Sequence, residues 1–373
     1  MKKTFTFLLS CLLGSAAVQA QKIAFEEYDL PNGLHVILHE DHSTPIVAVS
    51  VLYHVGSKNE DPKRTGFAHF FEHLMFEGSD NIARGEYMKT VQGGGGELNA
   101  NTSFDRTYYY EILPSNQLEL GLWMESERML HLRIDKEGLE TQRKVVKEER
   151  KQRLDNQPYG TILEQTYKHA YTVHPYNWVP IGSTQYIDQA TLEEFMDFYK
   201  TFYVPNNATL TIAGDINVKQ AKDWIEKYYK DIPKGTKEIP RPTVVEPPLK
   251  AEVRDVVPDN IQLPAVVLGY RTVAEGTPDY YAVSMLNTLL AGGESSRLTK
   301  NLVDKQQKAL FVGAFPMATE DPGLSLVFGI ASAGVKAEEL EAAIDAEIKM
   351  VQDAGLTQSD MDKLRNQVEN RMV

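Results

Sequence analysis

The stretch from Gly66 to Gly78, GFAHFFEHLMFEG, constrains this chain more than any other. Phe67, Phe70, Phe71 and Leu74 recur at helical spacing, so the segment is expected to form a helix with one buried face. His69 and His73 are four apart and stand one turn apart on a shared face, with Glu72 beside them. Two imidazoles at that spacing can hold one zinc ion, and the carboxylate can take a proton from water. The order H-x-x-E-H reverses the commoner H-E-x-x-H. The same residues also suit a plain amphipathic helix, with the three phenylalanines, Leu74 and Met75 buried and both histidines hydrogen-bonded near its end. Two histidines alone leave zinc short of a protein ligand, which only the fold can deliver.

Composition narrows the setting. The chain has 373 residues, 42% hydrophobic and 24% charged, which fits a globular protein of about two domains. Lys2 and Lys3 precede an apolar run from Phe5 to Val18, and Ala17-Val-Gln-Ala20 has the small residues of a cleavage site. Residues 1–20 are therefore expected to be a signal peptide. Cys11 lies within it, so the mature chain has no cysteine, and export without disulfides suits a bacterial periplasm. A lipid anchor at Cys11 is the alternative, weakened by the short apolar run before it. No later segment reaches the length of a membrane span. Without the two leader lysines the formal charge falls from −13 to about −15, which argues against nucleic acid as a partner.

Along the chain, strands are expected at 22–30, 34–39 and Ile46–His54, the first two joined by a turn at Pro31-Asn32-Gly33. His35, His39 and His42 lie on or beside a strand edge without a carboxylate at useful spacing and read as surface residues. A helix is expected over Arg84–Val91. Gly93–Gly96 lacks the Gly-Lys-Ser/Thr ending of a phosphate loop and reads as a mobile loop or a close backbone approach. A strand follows at Thr107–Leu113, then helices at Gln117–Leu132 and Lys136–Leu154. The second of these carries Glu148 and Glu149, about 75 positions beyond His73. Either could be the missing ligand, both fit a solvated helix face, and periodicity does not choose between them. Further helices are expected at Thr161–His169, Leu192–Phe202 and Val218–Tyr229, with a strand at Ala208–Ala213.

Five prolines between 232 and 249 mark a linker, expected at 236–250. Beyond it the pattern restarts without the histidines. Strands at Leu263–Tyr270 and Leu324–Ile330 accompany helices at Pro278–Leu290, Leu298–Asp304 and Ala337–Gln352, and another helix opens after Leu356. The interval from Ala265 to Arg371 nearly matches that from Val47 to Arg150, as expected of two weakly similar halves. The divisions are residues 21–235 and 251–373. The second half stops well short of the first, which reads as an incomplete domain.

With these motifs in view, the sequence resembles the pitrilysin/insulinase family of zinc metallopeptidases. It looks nearest to the smaller subgroup holding the mitochondrial processing peptidase and its bacterial relatives. The resemblance rests on Tyr53-His54-Val55-Gly56-Ser57, Gly66–Gly78, Asn99-Ala100-Asn101-Thr102 followed by Asp105-Arg106-Thr107, and Val145-Val146-Lys147-Glu148-Glu149. It implies an α+β fold of two similar domains, each a largely antiparallel sheet packed on helices. It further implies one zinc ion in the first domain, with Glu149 as third ligand and Glu72 as general base. Peptide would add as a strand along Asn99, Ala100 and Asn101. The family often places another glutamate seven residues before the third ligand; here that position is Gln142. The family's second half often supplies an arginine and a tyrosine that hold substrate. Arg297, in Gly292–Leu298, matches the arginine, but Gln307–Val312 has no tyrosine. Either Phe311 replaces it or a partner supplies the pair, a second peptidase-like subunit or another copy of this chain.

Overall fold

The computed structural model describes residues 23–372. The expected leader and Cys11 lie outside this range. The first half begins with β1 (Glu26–Asp29), β2 (His35–Glu40), β3 (Ile46–Tyr53), α1 (Phe67–Leu74), α2 (Tyr87–Gly93), β4 (Glu97–Thr102) and β5 (Thr107–Pro114). It continues through α3 (Leu118–Leu130), α4 (Lys136–Arg150), α5 (Ile162–Ala170), α6 (Thr184–Gln189), α7 (Leu192–Phe202), β6 (Ala208–Gly214) and α8 (Val218–Tyr229). The strands form one sheet in the order β1-β2-β6-β3-β5-β4, antiparallel except where β2 meets β6. Alternation decides which face is dry. Val47, Val49, Val51 and Tyr53 of β3 share the core with Tyr109 and Leu113 of β5 and with the apolar sides of α1, α3, α7 and α8.

The second half holds β7 (Ala265–Arg271), α9 (Pro278–Ala291), β8 (Ala309–Met317), β9 (Leu324–Ala331), α10 (Ala337–Ala354) and α11 (Gln358–Met372). Its sheet has the order β7-β9-β8, which repeats the β3-β5-β4 portion of the first sheet. The duplication inferred from residue intervals thus appears as topology. The fold is α+β, with sheets packed against helices.

Several boundaries differ from expectation. α2 starts at Tyr87 and not Arg84, because Gly85 takes a positive φ of 77° just before it. α4 ends at Arg150 and runs into a π-helical turn, Lys151–Asp155. The helix expected at Leu298–Asp304 is a second π-helical stretch, Thr299–Lys305. β8 and α6 had no counterpart in the sequence reading. β8 contains Pro316, which argues against a central strand, and β8 is an edge strand, where a missing N–H is tolerated.

The linker is anchored rather than free. The Glu246 carboxylate accepts N–H bonds from Thr172, Val173 and His174 and pairs with Arg271. These donors hold it down at about 2 despite its burial. The halves also meet directly. Phe104, Tyr167, Tyr171 and Tyr176 pack with Leu324 and Leu326, and the buried Lys58 ammonium lies among Asp105, Glu320 and Asp321.

Candidate metal centre

α1 is placed by its aromatic face. Phe67 and Phe70 stack on Phe195 of α7 with centroids 4.4 and 4.5 Å apart, and Phe71 stacks on Tyr199 at 5.8 Å. That packing turns His69, Glu72 and His73 away from α7. The helix is preceded by Gly66 as its N-cap, whose φ is +98°. The chain passes so near Gly182 that a Cβ there would sit 2.3 Å from the Gly66 backbone, so both positions need glycine. Glu60, absent from the sequence reading, accepts from the N–H groups of Gly66 and Ala68 and from Trp178 Nε1. It ties the start of α1 to the loop after α5. Burial pushes its carboxyl up to about 8, against the pull of those donors.

α4 brings the third acid. Asp135 caps it by accepting from Gly138 N at 2.7 Å. Arg143 donates to the carbonyls of Ile187 and Ala190, and Arg150 to that of Gly182 at 2.6 Å, so α4 is clamped onto the segment that also fixes α1. Val146 faces the core, which leaves Glu149 turned inward and Glu148 exposed.

Geometry distinguishes the two glutamates by which of them reaches the histidines. Glu149 Oε2 lies 3.1 Å from His73 Nε2 and 3.6 Å from His69 Nε2. Among the described residues these three form the one His/Cys/Asp/Glu group whose donor atoms converge within 4.8 Å. Ligands about 2.1 Å from a tetrahedral zinc stand about 3.4 Å apart, so the donor set fits that ion in both chemistry and spacing. Glu149 Oε1 pairs with Arg153 at 2.7 Å, which leaves Oε2 for the histidines. Contact with both histidines holds the Glu149 carboxyl well below the usual range. The π-helical turn after α4 carries Arg153 and so shapes this pairing. His69 and His73 meet edge to face, with centroids 4.9 Å apart.

The other candidate residues take separate places. Asn99 and Asn101 project from the outer face of β4, where Asn101 accepts from Arg106 at 2.7 Å. Ala100 packs inward against the core, and its N–H meets the Asn99 side chain, as a donor on the open edge can. Arg297 is bound to Asp360 of α11 at 3.2 Å and is not among the residues converging on the histidines. Gln142 donates to Glu77, which also accepts from Arg84, so the amide joins a separate polar cluster. His35, His39 and His42 bond to Asp29, the Ala24 carbonyl and Asp215, away from the centre.

Comparison with known proteins bears directly on this geometry. Residues 35–178, which contain His69, Glu72, His73 and Glu149, match the insulinase family, peptidase family M16. Residues 189–368 match the inactive domain of the same family. The zinc protease PqqE of Helicobacter pylori is 34% identical over 361 residues, covering 96% of this chain and 81% of the relative. The chain belongs to peptidase family M16. Another M16 relative, the probable mitochondrial-processing peptidase subunit beta of Arabidopsis thaliana, is 24% identical over 92% of this chain and 66% of its own. A solved protease from Helicobacter pylori superposes with a TM-score of 0.91 at 33% identity, covering 94% of this chain and 85% of that one. Pitrilysin shares the fold, with a TM-score of 0.72 at 17% identity over 91% of this chain and 37% of its own.

The site separates the two neighbouring glutamates by experiment. Glu149→Gln is expected to lower zinc affinity by at least about tenfold and to remove activity, because the carboxylate that reaches both histidines is lost. Glu148→Gln should change neither, since Glu148 faces solvent near Lys151 and Gln152. Zinc competition against a chelator checks this, and equal affinities in the two variants would refute the assignment.

Proposed function

We propose that this chain is a zinc-dependent endopeptidase acting on peptides or unfolded segments. The observation that carries the reading is the convergence of His69, His73 and Glu149 beside Glu72. Zinc held by those three side chains would acidify water and polarise the scissile carbonyl. Glu72 then takes the proton from the attacking water and returns it to the leaving amine. Its Oε2 accepts from Thr102, which leaves Oε1 for that transfer. The open edge of β4 can accept a peptide as a further strand, a mode that relies on backbone pairing and suits extended substrates.

Arg297 is engaged by Asp360, and Phe311, half exposed on β8, offers no hydroxyl. A second peptidase-like chain, or another copy of this one, therefore supplies the remaining substrate-holding donors in this reading. The apolar leader supports export to the periplasm. No helix among the described residues is long and apolar enough to cross a membrane.

A mixed-sequence quenched-peptide library tests the function. Turnover should vanish on chelation and return with zinc. Turnover that survives chelation, or none with zinc bound and a partner chain present, would overturn the reading.

A further inference from the structure

Thr102 ends β4, and its hydroxyl donates to Glu72 Oε2 at 2.6 Å, the one hydrogen bond that Glu72 receives from a side chain among the described residues. The side chains of Leu98, Ala100 and Thr102 share the inward face of the strand, the first two packing on the core below. Thr102 thus spans two functions. Its side chain touches the proposed base, while its backbone lies on the edge that a peptide would join.

The strand end that carries the hydroxyl is fixed on several sides. Thr102 pairs with Thr107 just before the hairpin turn, and Thr107 Oγ1 donates to the Val55 carbonyl at 2.9 Å. Within the turn, Ser103 N donates to the Arg106 carbonyl at 2.8 Å. Phe104 is buried with Leu324 and Leu326 of β9, and Asp105 accepts from Tyr176 and from the backbone N–H of Glu320. The half without histidines therefore braces the turn that carries Thr102.

We infer that Thr102 is a positioning residue for Glu72, fixing the plane of the carboxylate so that Oε1 faces the reacting water. This rests on the reading of Glu72 as general base. A charge-assisted bond of this length is short and strong, and its loss frees a carboxylate on a side chain with several rotamers. β-branched Val preserves the strand and the methyl packing while removing the donor, and Ser restores the donor alone.

The experiment compares Thr102→Val and Thr102→Ser in the zinc-loaded full chain. Thr102→Val should lower kcat roughly 10- to 100-fold with KM within about twofold, since the lost interaction acts on the base and not on ground-state binding. Thr102→Ser should recover most of kcat. Zinc affinity should be unchanged in both. Crystal structures give a readout independent of turnover: the Glu72 carboxylate should rotate away in the Val variant and hold its place in the Ser variant. An unmoved Glu72 in Thr102→Val, or a kcat equal to that of the parent chain, would overturn the inference. Failure of the underlying reading looks different, because the parent chain and Glu72→Gln would then hydrolyse peptide equally.

Discussion

Replacing Glu72 with Gln is expected to lower kcat by about 10²- to 10⁴-fold while zinc stays bound, the usual contribution of a positioned general base. Glutamine keeps the size of the side chain, and its carbonyl oxygen can still accept from the Thr102 hydroxyl 2.6 Å from the present Oε2. What disappears is the capacity to take a proton. The three converging donors come from His69, His73 and Glu149, so a zinc ion held there would lose no ligand directly. Zinc content and peptide turnover, measured on one preparation, decide the matter. A variant that arrives without zinc would show Glu72 to be a ligand or a structural support. A variant retaining a tenth or more of parental kcat would show the base to be elsewhere.

The second large effect is on stability. Arg128 is 1% exposed, its guanidinium packed over the rings of Phe76, Tyr87 and Tyr109 and bonded to Glu125, with Glu111 at 3.5 Å. Both glutamates are fully buried. Burial pushes both carboxyls up, and the like charge of Glu125 adds to the rise at Glu111. Arg128→Met keeps the stem and strips the charge, leaving two carboxyl groups with no cation. The expected cost is about 3–5 kcal/mol, the range for breaking a buried pair from one side. That is a large fraction of the 5–15 kcal/mol typical of a folded domain.

The loss should depend on pH in a defined direction. Without the arginine, both carboxyls titrate above their unfolded values, so the native state binds more protons than the unfolded one across that interval. Stability of the variant then falls as pH rises. Urea unfolding at pH 5 and pH 8 should therefore show the larger deficit at pH 8. A deficit below about 1 kcal/mol at both values would show that the cluster relaxes or hydrates freely. The cluster joins α3 to β5, the strand that pairs with β4, so its integrity also bears on the candidate metal centre.

The helix that carries both histidines was legible in the chain because its information is local. Phe67, Phe70, Phe71 and Leu74 define one face within eight residues, and the histidines follow on the other through helical geometry alone. Alternation likewise marked β1 and β2, and the prolines marked the linker. The repetition of two halves came from intervals, and the strand order β3-β5-β4 and β7-β9-β8 expresses it in space.

Tertiary structure decided what depends on chain segments far apart. Glu148 and Glu149 differ by one position on a charged helix, and only the clamping of α4 through Arg143 and Arg150 selects which carboxylate meets the histidines. Glu60 gave no local signal, and Thr102 entered only as the end of the Asn99–Thr102 motif, with nothing to link it to Glu72, since a glutamate in a charged loop and a threonine at a strand end are ordinary choices. Their roles exist because β4 and the loop before α1 are brought to the same helix. Periodicity records which face of an element is dry. It carries no record of which element lies against that face, and long-range packing supplies that.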